Sequence, residues 1–259
     1  MNAKRTMAVG TVLAGILLQA TATIAQVAQP PAQVGAASPV ATPTVDELIA
    51  ANLATKGGRD TWMAVQSMKM SGVADGPGLT LDFVIYARRP NLARQELTLE
   101  VPGQASKTMV SLFDGAKTWQ IDPVMGTGQP TELTGPDADA VRDQADFDSS
   151  LYDYQARGYT VELLPPVTVA AKQAHHLRVI RKDLPTQHYY LDPVTFVELR
   201  ITTEGIIASD AELDDYRDVG GILVAHRIKI MQSGMLQVEL AVKMVEFNVP
   251  LDDALFRVR

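Results

Sequence analysis

The four histidines of this 259-residue chain are the side chains best suited to metal binding or proton transfer. His175 and His176 are adjacent on a predicted strand, so their side chains point to opposite faces and do not easily share a metal ion. His226 lies in an alternating apolar row, which favours a hydrogen-bonded interior histidine. His188 has no partner assignable from the sequence, and no H-E-x-x-H or comparable spacing occurs. The pattern argues against a zinc enzyme, and we expect no metal site.

Acidic residues cluster between residues 136 and 150, where the sequence invites comparison with a calcium loop. An EF-hand loop starting at Asp137 needs glycine at position 6 and glutamate at position 12, but Arg142 and Asp148 stand there. A solvated acidic helix, poorly buried or mobile, is the favoured interpretation. The acidic residues between 210 and 218 are expected to form a charged strand edge that discourages aggregation.

Signatures of nucleophilic catalysis and of phosphate binding are absent from the sequence. There is no G-x-S-x-G motif, and the lack of cysteine excludes a thiol nucleophile, a disulfide and a thiolate metal site. Gly76-Pro77-Gly78 and Gly126-Thr127-Gly128 lack the spacing of a phosphate loop and are typical of hairpin turns. We predict no enzymatic activity and no cofactor, although carboxylates that converge in space keep a hydrolase as a third hypothesis.

Residues 1–25 have the organisation of an export signal. Two basic residues precede an apolar run over residues 7–18, and small residues lead to a predicted cleavage site after Ala25, with Ala22 as the alternative. The run is short for a membrane span. A retained, uncleaved anchor is the other interpretation. We expect a periplasmic protein whose signal is removed.

The charge balance restricts the classes of partner. The signal holds two basic and no acidic residues, so its removal takes the net charge from −7 to −9. An acidic surface argues against nucleic acid or anionic headgroups as the main partner, but it allows binding to the apolar part of a lipid. No later segment reaches eighteen consecutive apolar residues, so we expect no membrane span after cleavage.

The elements that would position any site begin after residues 26–43, which are rich in Pro, Ala and Gln and predict a disordered leader. Thr44 and Glu47 have the spacing of a capping box, which predicts a helix that ends at Gly57-Gly58. A short second helix from Asp60 to Val65 would place Trp62 against a sheet.

From Ser67 onward the apolar period changes to two, which predicts β-strands separated by Gly, Pro and Asp turns. No alternation of strands with helices intervenes, so the sheet is predicted to be mainly antiparallel. Residues 136–150 predict one inserted helix. The strand candidates are 67–74, 79–85, 93–101, 107–113, 116–121, 159–164, 174–182, 186–191, 196–203, 212–219, 221–231 and 235–248.

One apolar row, from Leu236 to Met244, is long for a single strand, and methionine recurs through the chain. Flexible, polarisable methionine side chains suit a site that accepts variable apolar ligands. A filled hydrophobic core explains the same pattern, and periodicity alone favours that explanation.

Short motifs in a fixed order extend over nearly all of residues 44–259, and together they resemble bacterial exported proteins of the outer membrane lipoprotein-sorting type, in the LolA/LolB-like superfamily. The motifs are Glu47-Leu48-Ile49, Lys56-Gly57-Gly58, Val65-Gln66-Ser67-Met68, Arg88-Arg89-Pro90-Asn91, Phe113-Asp114-Gly115, Trp119-Gln120-Ile121-Asp122-Pro123, Tyr189-Tyr190-Leu191-Asp192-Pro193, Asp215-Tyr216-Arg217-Asp218-Val219-Gly220-Gly221 and Asn248-Val249-Pro250-Leu251-Asp252.

The resemblance implies a mostly β domain over residues 44–259: a curved, unclosed antiparallel half-barrel of about eleven strands with an N-terminal helix and an inserted lid helix. Its concavity would hold acyl chains of lipids or lipoproteins, which favours a cavity over a filled core. The residues predicted to line it are Phe83, Ile85, Leu97, Leu99, Trp119, Val238, Leu240, Val242 and Met244.

The sequence therefore predicts non-enzymatic binding or carriage of an acyl-chain ligand in the periplasm. The same architecture also serves as a sensor, so the second hypothesis is an envelope sensor or scaffold domain that binds a protein partner. Residues 26–43 and 136–150 would then be the contact surfaces.

Overall fold

The computed structural model describes residues 42–205 and 208–258, so the predicted export signal and nearly all of the predicted leader lie outside the described residues. The described helices are α1 (Val45–Thr55), α2 (Arg59–Met63), α3 (Gly135–Gln144) and a 3-10 helix (Asp253–Phe256). None of the helices in these ranges combines the length and the apolar character that a bilayer crossing requires.

The described strands are β1 (Ser67–Gly76), β2 (Leu79–Arg88), β3 (Leu92–Leu99), β4 (Lys107–Phe113), β5 (Thr118–Ile121), β6 (Thr131–Leu133), β7 (Thr160–Val169), β8 (Lys172–Ile180), β9 (Gln187–Leu191), β10 (Glu198–Thr203), β11 (Ser209–Val219), β12 (Ile222–Gln232) and β13 (Met235–Phe247). Each predicted strand is present. The unpredicted strand is β6, whose three residues are too few to show an alternation of apolar and polar side chains.

All thirteen strands form one antiparallel sheet in the order β6-β5-β4-β3-β2-β1-β13-β12-β11-β10-β9-β8-β7. The chain starts in the middle with β1, runs outward to β6, crosses to the far edge and returns strand by strand to β13, which pairs with β1. Strands β6 and β7 are free edges, so the sheet is not closed into a barrel. The predicted unclosed antiparallel sheet is confirmed.

One face of the sheet, called the inner face here, carries a central cluster of buried side chains. Its members are Ala74, Leu81, Phe83, Leu97, Met109, Val238, Leu240, Val242 and Val245. The members of this cluster that the structure describes lie on strands β1–β4 and β13. These buried side chains lie at the centre of the inner face, where the sequence predicts the concavity.

Gly72 permits a close approach of strands β1 and β13. A Cβ atom at this position would lie 2.1 Å from the carbonyl oxygen of Ala241 and 2.9 Å from the Phe83 ring. The register between the two strands shifts between Ser71 and Gly72, so that Val242 and Met244 of β13 face opposite sides of the sheet.

Helix α1 covers another part of the inner face. Its N-terminus has the predicted capping box, in which the Thr44 hydroxyl accepts from the Glu47 amide and Glu47 accepts from the Thr44 amide. Leu48 and Ile49 pack against Leu177 of β8 and other buried side chains. The apolar face of α1 therefore holds the helix on strands β8 and β9.

Helix α3 is shorter and better buried than its sequence predicts. It ends at Gln144, and Val141 packs on Phe113 of β4 with only 5% of its surface exposed. The aspartates of this region are also largely engaged rather than solvated. Three arginines from elsewhere in the chain hold them through the pairs Arg181–Asp143, Arg157–Asp146 and Arg89–Asp148. These pairs fix the segment from 145 to 158, which follows α3, over the inner face.

The outer face of the sheet is partly covered by the C-terminal segment. Phe256 of the 3-10 helix is 2% exposed and packs with Val110 and Leu112 of β4 and with Trp119 of β5. This second apolar layer explains why the first half of the sheet is apolar on both faces.

Candidate ligand-binding cavity

A cavity of about 290 Å³ lies between the inner face of the sheet and helices α1 and α2. It is bordered by the C-terminal end of α1, by α2, by strands β1 and β9–β13, and by the segment after α3. The lining residues are Lys56, Trp62, Met68, Met70, Ser149, Tyr189, Glu198, Ile201, Leu213, Tyr216, Ile222, Leu223, Val224, Ala225, Ile228 and Phe247.

Most of this lining is apolar. Met68 pairs with Phe247 across β1 and β13, and Met70 follows two residues later on the same face. Trp62 of α2 stands edge-on to the Phe247 ring at a centroid distance of 6.3 Å. Ile228 of β12 continues the apolar wall beside them. Two methionines next to aromatic rings form a deformable wall that suits a flexible apolar ligand.

The polar part of the lining is concentrated around Glu198, the first residue of β10. The Lys56 Nζ lies 2.9 Å from the Glu198 Oε1, and the Tyr216 hydroxyl donates to the Glu198 carbonyl oxygen at 2.8 Å. The Glu198 side chain is 3% exposed and the Lys56 side chain 23%. The Lys56 Nζ also lies 5.8 Å from the Tyr152 ring centroid. The cavity therefore has one polar side in an otherwise apolar surface.

The buried charges stabilise each other. Burial by itself would raise the pKa of Glu198, but the charge of Lys56 and its hydrogen bond hold that pKa below the usual range. Burial would lower the pKa of Lys56, and the Glu198 carboxylate outweighs this effect and raises it. Burial, with the nearby carboxylate, raises the pKa of Tyr216, and burial raises the pKa of Tyr152 to about 12. At neutral pH this group holds one ammonium, one carboxylate and two neutral phenols, with zero net charge.

The close approach of Gly57 to the β11–β12 turn fixes the position of the neighbouring Lys56 beside β10. Lys56 is the C-cap residue of α1, and Gly57 follows with a φ of 106°. A Cβ atom at Gly57 would lie 2.1 Å from the carbonyl oxygen of Gly221 in the β11–β12 turn. Asn52 anchors the same end of the helix by donating to the Phe196 carbonyl oxygen at 2.8 Å. The end of α1 is therefore fixed against the strands that carry Glu198.

None of the nine residues predicted to line a concavity borders this cavity. Seven of them lie in or against the central cluster, which is adjacent on the inner face: Phe83, Ile85, Leu97, Leu99, Val238, Leu240 and Val242. The structure thus brings these seven together in one apolar cluster.

Trp119 and Met244 lie on the outer face, away from the other seven. Trp119 pairs with Leu112, which faces the side opposite Met109 and Leu97. Met244 is turned outward by the register shift in β13 and is 45% exposed. A strict two-residue alternation fails for Met244 because it cannot anticipate a bulge.

Sequence reasoning did not assign a role to the residues that form the polar side. Lys56 and Tyr216 stand inside quoted motifs, and Glu198 interrupts an apolar stretch between Val197 and Leu199. A lone carboxylate between two apolar residues was the available signal, because such a group needs a cationic partner if it is buried.

The histidines form no metal site. His176 and His188 are on the outer face, where the His176 Nε2 lies 2.8 Å from the His188 Nδ1 and the His188 Nε2 lies 2.8 Å from Glu204. His226 is 6% exposed and its Nδ1 is 2.9 Å from the Val224 carbonyl oxygen, as expected for an interior histidine. Within residues 42–205 and 208–258, no three metal-ligating side chains converge.

Similarity to known proteins is found when structures are compared, but not when sequences are compared. No protein-family model matches the chain, and no curated protein is similar to it. The structure is similar to that of a DUF1329 family protein from Desulfovibrio piger, with 14% identity, a TM-score of 0.57, and coverage of 83% of this chain and 98% of that one.

Two further solved structures have the same architecture. One is an outer membrane lipoprotein-sorting protein domain from Vibrio parahaemolyticus, with 12% identity, a TM-score of 0.56, and coverage of 83% of this chain and all of that one. The other is a LolA superfamily protein from Nitrosomonas europaea, with 12% identity, a TM-score of 0.53, and coverage of 83% and 98%. At these identities the likeness concerns the fold, and this chain has the LolA-like fold.

Proposed function

We propose that this protein binds or carries an acyl-chain ligand in the cavity beneath α1 and α2, without catalysing a reaction. The observation that supports this proposal is an apolar cavity of about 290 Å³ on the inner face of a sheet with the LolA-like fold. A largely apolar concavity with few polar groups is the usual form of a small-molecule site.

The energetics of such binding are favourable without a specific headgroup motif. Burying one methylene contributes about 0.8 kcal/mol, so a ten-carbon chain gains about 8 kcal/mol. Loss of translational and chain freedom offsets part of this gain and leaves several kcal/mol. Met68 and Met70 can adjust to the curvature of the bound chain.

The proposal also covers export and the role of the central cluster. We infer that residues 1–25 direct the chain to the periplasm and are removed, and that residues 44–259 form one domain. A chain longer than the cavity would extend toward the central cluster, where the seven clustered residues of the predicted lining would be its next contacts. That role for Leu240 and its neighbours stays a prediction.

The two tryptophans offer a direct test. Trp62 borders the cavity, whereas Trp119 lies on the outer face and donates to Asp114 at 2.9 Å. The Trp119→Phe variant leaves Trp62 as the single tryptophan of the protein. Titration with 1-monolauroylglycerol below its micelle concentration should change the Trp62 emission saturably. The Trp62→Phe variant, which keeps Trp119, should show no such change.

A matched pair of substitutions locates the ligand. Val224→Phe adds a ring to the cavity wall, while Val73→Phe adds the same ring to the outer face of β1. We expect Val224→Phe to weaken probe binding at least tenfold and Val73→Phe to leave it unchanged, with far-UV circular dichroism confirming that both variants fold. Equal affinities, or no saturable signal with probes of 8–16 carbons, would overturn the proposal.

The sensor hypothesis predicts that the acidic segment 136–150 is a contact surface for a protein partner. In the structure Asp143, Asp146 and Asp148 are held by arginines of the same chain. This intramolecular pairing favours a structural role for the segment and makes the carrier the better-supported proposal.

A further inference from the structure

The Lys56–Glu198 pair lines the cavity. A pair that served only to anchor α1 would not need to be exposed to this space. Lys56, Glu198 and Tyr216 all border the space in which an acyl chain would lie. Ser149 and Tyr189 add two hydroxyl groups to the same lining, and their oxygens are 3.5 Å apart. A ligand in the cavity therefore meets a cluster of hydrogen-bonding groups on one side.

We propose that the Lys56–Glu198 pair contacts the polar end of the ligand and selects acyl chains attached to an uncharged hydrogen-bonding group, such as an ester, an amide or a hydroxyl, over free fatty acids. This inference rests on the proposed function, because it assigns the specificity of the same cavity.

Charge balance supports the preference for an uncharged group. The ammonium of Lys56 is already matched by the carboxylate of Glu198 at 2.9 Å, and the pair is largely withdrawn from water. A fatty-acid carboxylate would enter as a second anion beside one cation, and an unmatched buried charge is strongly disfavoured. An uncharged ester or amide adds no charge.

The hydrogen-bonding capacity of Lys56, Glu198 and Tyr216 also supports the preference for an uncharged polar group. The Lys56 ammonium has three N–H donors, of which Glu198 Oε1 accepts one and the Tyr152 hydroxyl oxygen accepts another, so that one remains for a ligand. Tyr216 donates its hydroxyl proton to the Glu198 carbonyl oxygen, so its oxygen can still accept. A carbonyl oxygen of the ligand can accept from Lys56, and a ligand hydroxyl or amide N–H can donate to Glu198 or Tyr216.

The test compares two twelve-carbon probes, 1-monolauroylglycerol and laurate, at pH 7 in the Trp119→Phe background. We expect 1-monolauroylglycerol to bind at least tenfold more tightly than laurate. Glu198→Gln removes the anion and leaves the Lys56 charge unmatched, so it should reverse the order and tighten laurate binding at least tenfold. A role confined to anchoring α1 would not reverse the preference.

A double variant guards against unfolding of the single one. Lys56→Met with Glu198→Leu replaces the pair by apolar side chains of similar size, which is tolerated better than an unmatched charge. It should lower the affinity for 1-monolauroylglycerol without gaining affinity for laurate. If both probes bind equally to wild type and to the folded variants, the inference fails while the cavity proposal stands. If neither probe binds to wild type, the cavity proposal itself fails.

Discussion

Removal of the Asp143 carboxylate should destabilise the protein far more than removal of other acidic groups on α3. Arg181 is 1% exposed at its side chain, and its two terminal nitrogens reach the two Asp143 oxygens at 2.5 and 3.0 Å. Its remaining partners include the Pro185 carbonyl oxygen at 2.7 and 2.9 Å and the Ser150 hydroxyl at 3.4 Å. Asp143→Ala leaves the guanidinium buried with neutral partners only.

The expected cost follows from this geometry. Breaking a buried ion pair by deleting one partner costs about 3–5 kcal/mol, a large part of a domain stability of about 5–15 kcal/mol. With a urea m-value of about 2 kcal/mol/M, the unfolding midpoint should fall by about 2 M. Fluorescence-detected urea unfolding measures this shift.

A control on the same helix separates charge burial from helix propensity. Asp139 pairs with Arg142 at 2.7 Å, but both side chains are about half exposed. Asp139→Ala should cost no more than about 0.5 kcal/mol. The double variant Asp143→Leu with Arg181→Met should recover much of the lost stability. If Asp143→Ala and Asp139→Ala shift the midpoint equally, the buried pair does not hold α3 as argued.

Three further predictions follow from other contacts. Gly57→Ala should lower the thermal midpoint more than Gly58→Ala, because both have positive φ but only the Gly57 position would meet the Gly221 carbonyl; equal shifts in a thermal melt would contradict this. Burial would raise the pKa of Asp192, but Lys172 and the Thr195 and Val194 amides hold that pKa at about 2. The ionised carboxylate therefore stabilises the fold above pH 4, and this stabilisation is lost as the pH falls through 2. The difference in unfolding free energy between wild type and Asp192→Asn should therefore be about 2 kcal/mol at pH 7 and near zero below pH 2, and a difference independent of pH would refute the assignment. In a series of monoacylglycerols from 8 to 12 carbons, each added methylene should tighten binding about fourfold in the Trp62 assay until the cavity is full, and an affinity independent of length would contradict apolar burial.

The order of elements could be predicted from the sequence because its signals are local. The capping box at Thr44 and the period of two after Ser67 depend on residues only a few positions apart, and both are found in the structure. Strand Thr131–Leu133 was missed because three residues are too few to show a period. Residues 136–150 were predicted to form one solvated helix because the arginines that pair with these aspartates lie elsewhere in the sequence.

The candidate site could not be predicted in the same way, because it depends on contacts across the chain. Lys56 and Glu198 are separated by 142 positions, and their pairing needs both the end of α1 and the start of β10 in place. The inward row of β13 also depends on the shift at Gly72, which turns Met244 outward. Alternation predicts which residues share a face only until the first bulge.

A long apolar row identifies buried positions but does not say whether they line a cavity or fill a core. The seven inward-facing residues predicted from alternation lie in the central cluster on β2, β3 and β13, where Phe83 is 1% exposed, and none of them borders the cavity. The cavity lies where helices, not strands, form the opposite wall, and there Lys56 and Glu198 interrupt the apolar surface. A buried charge is costly unless it has a partner, and here the two partners meet at the cavity wall. In a sheet of this kind, the charged interruption is therefore a better guide to the ligand site than the apolar row.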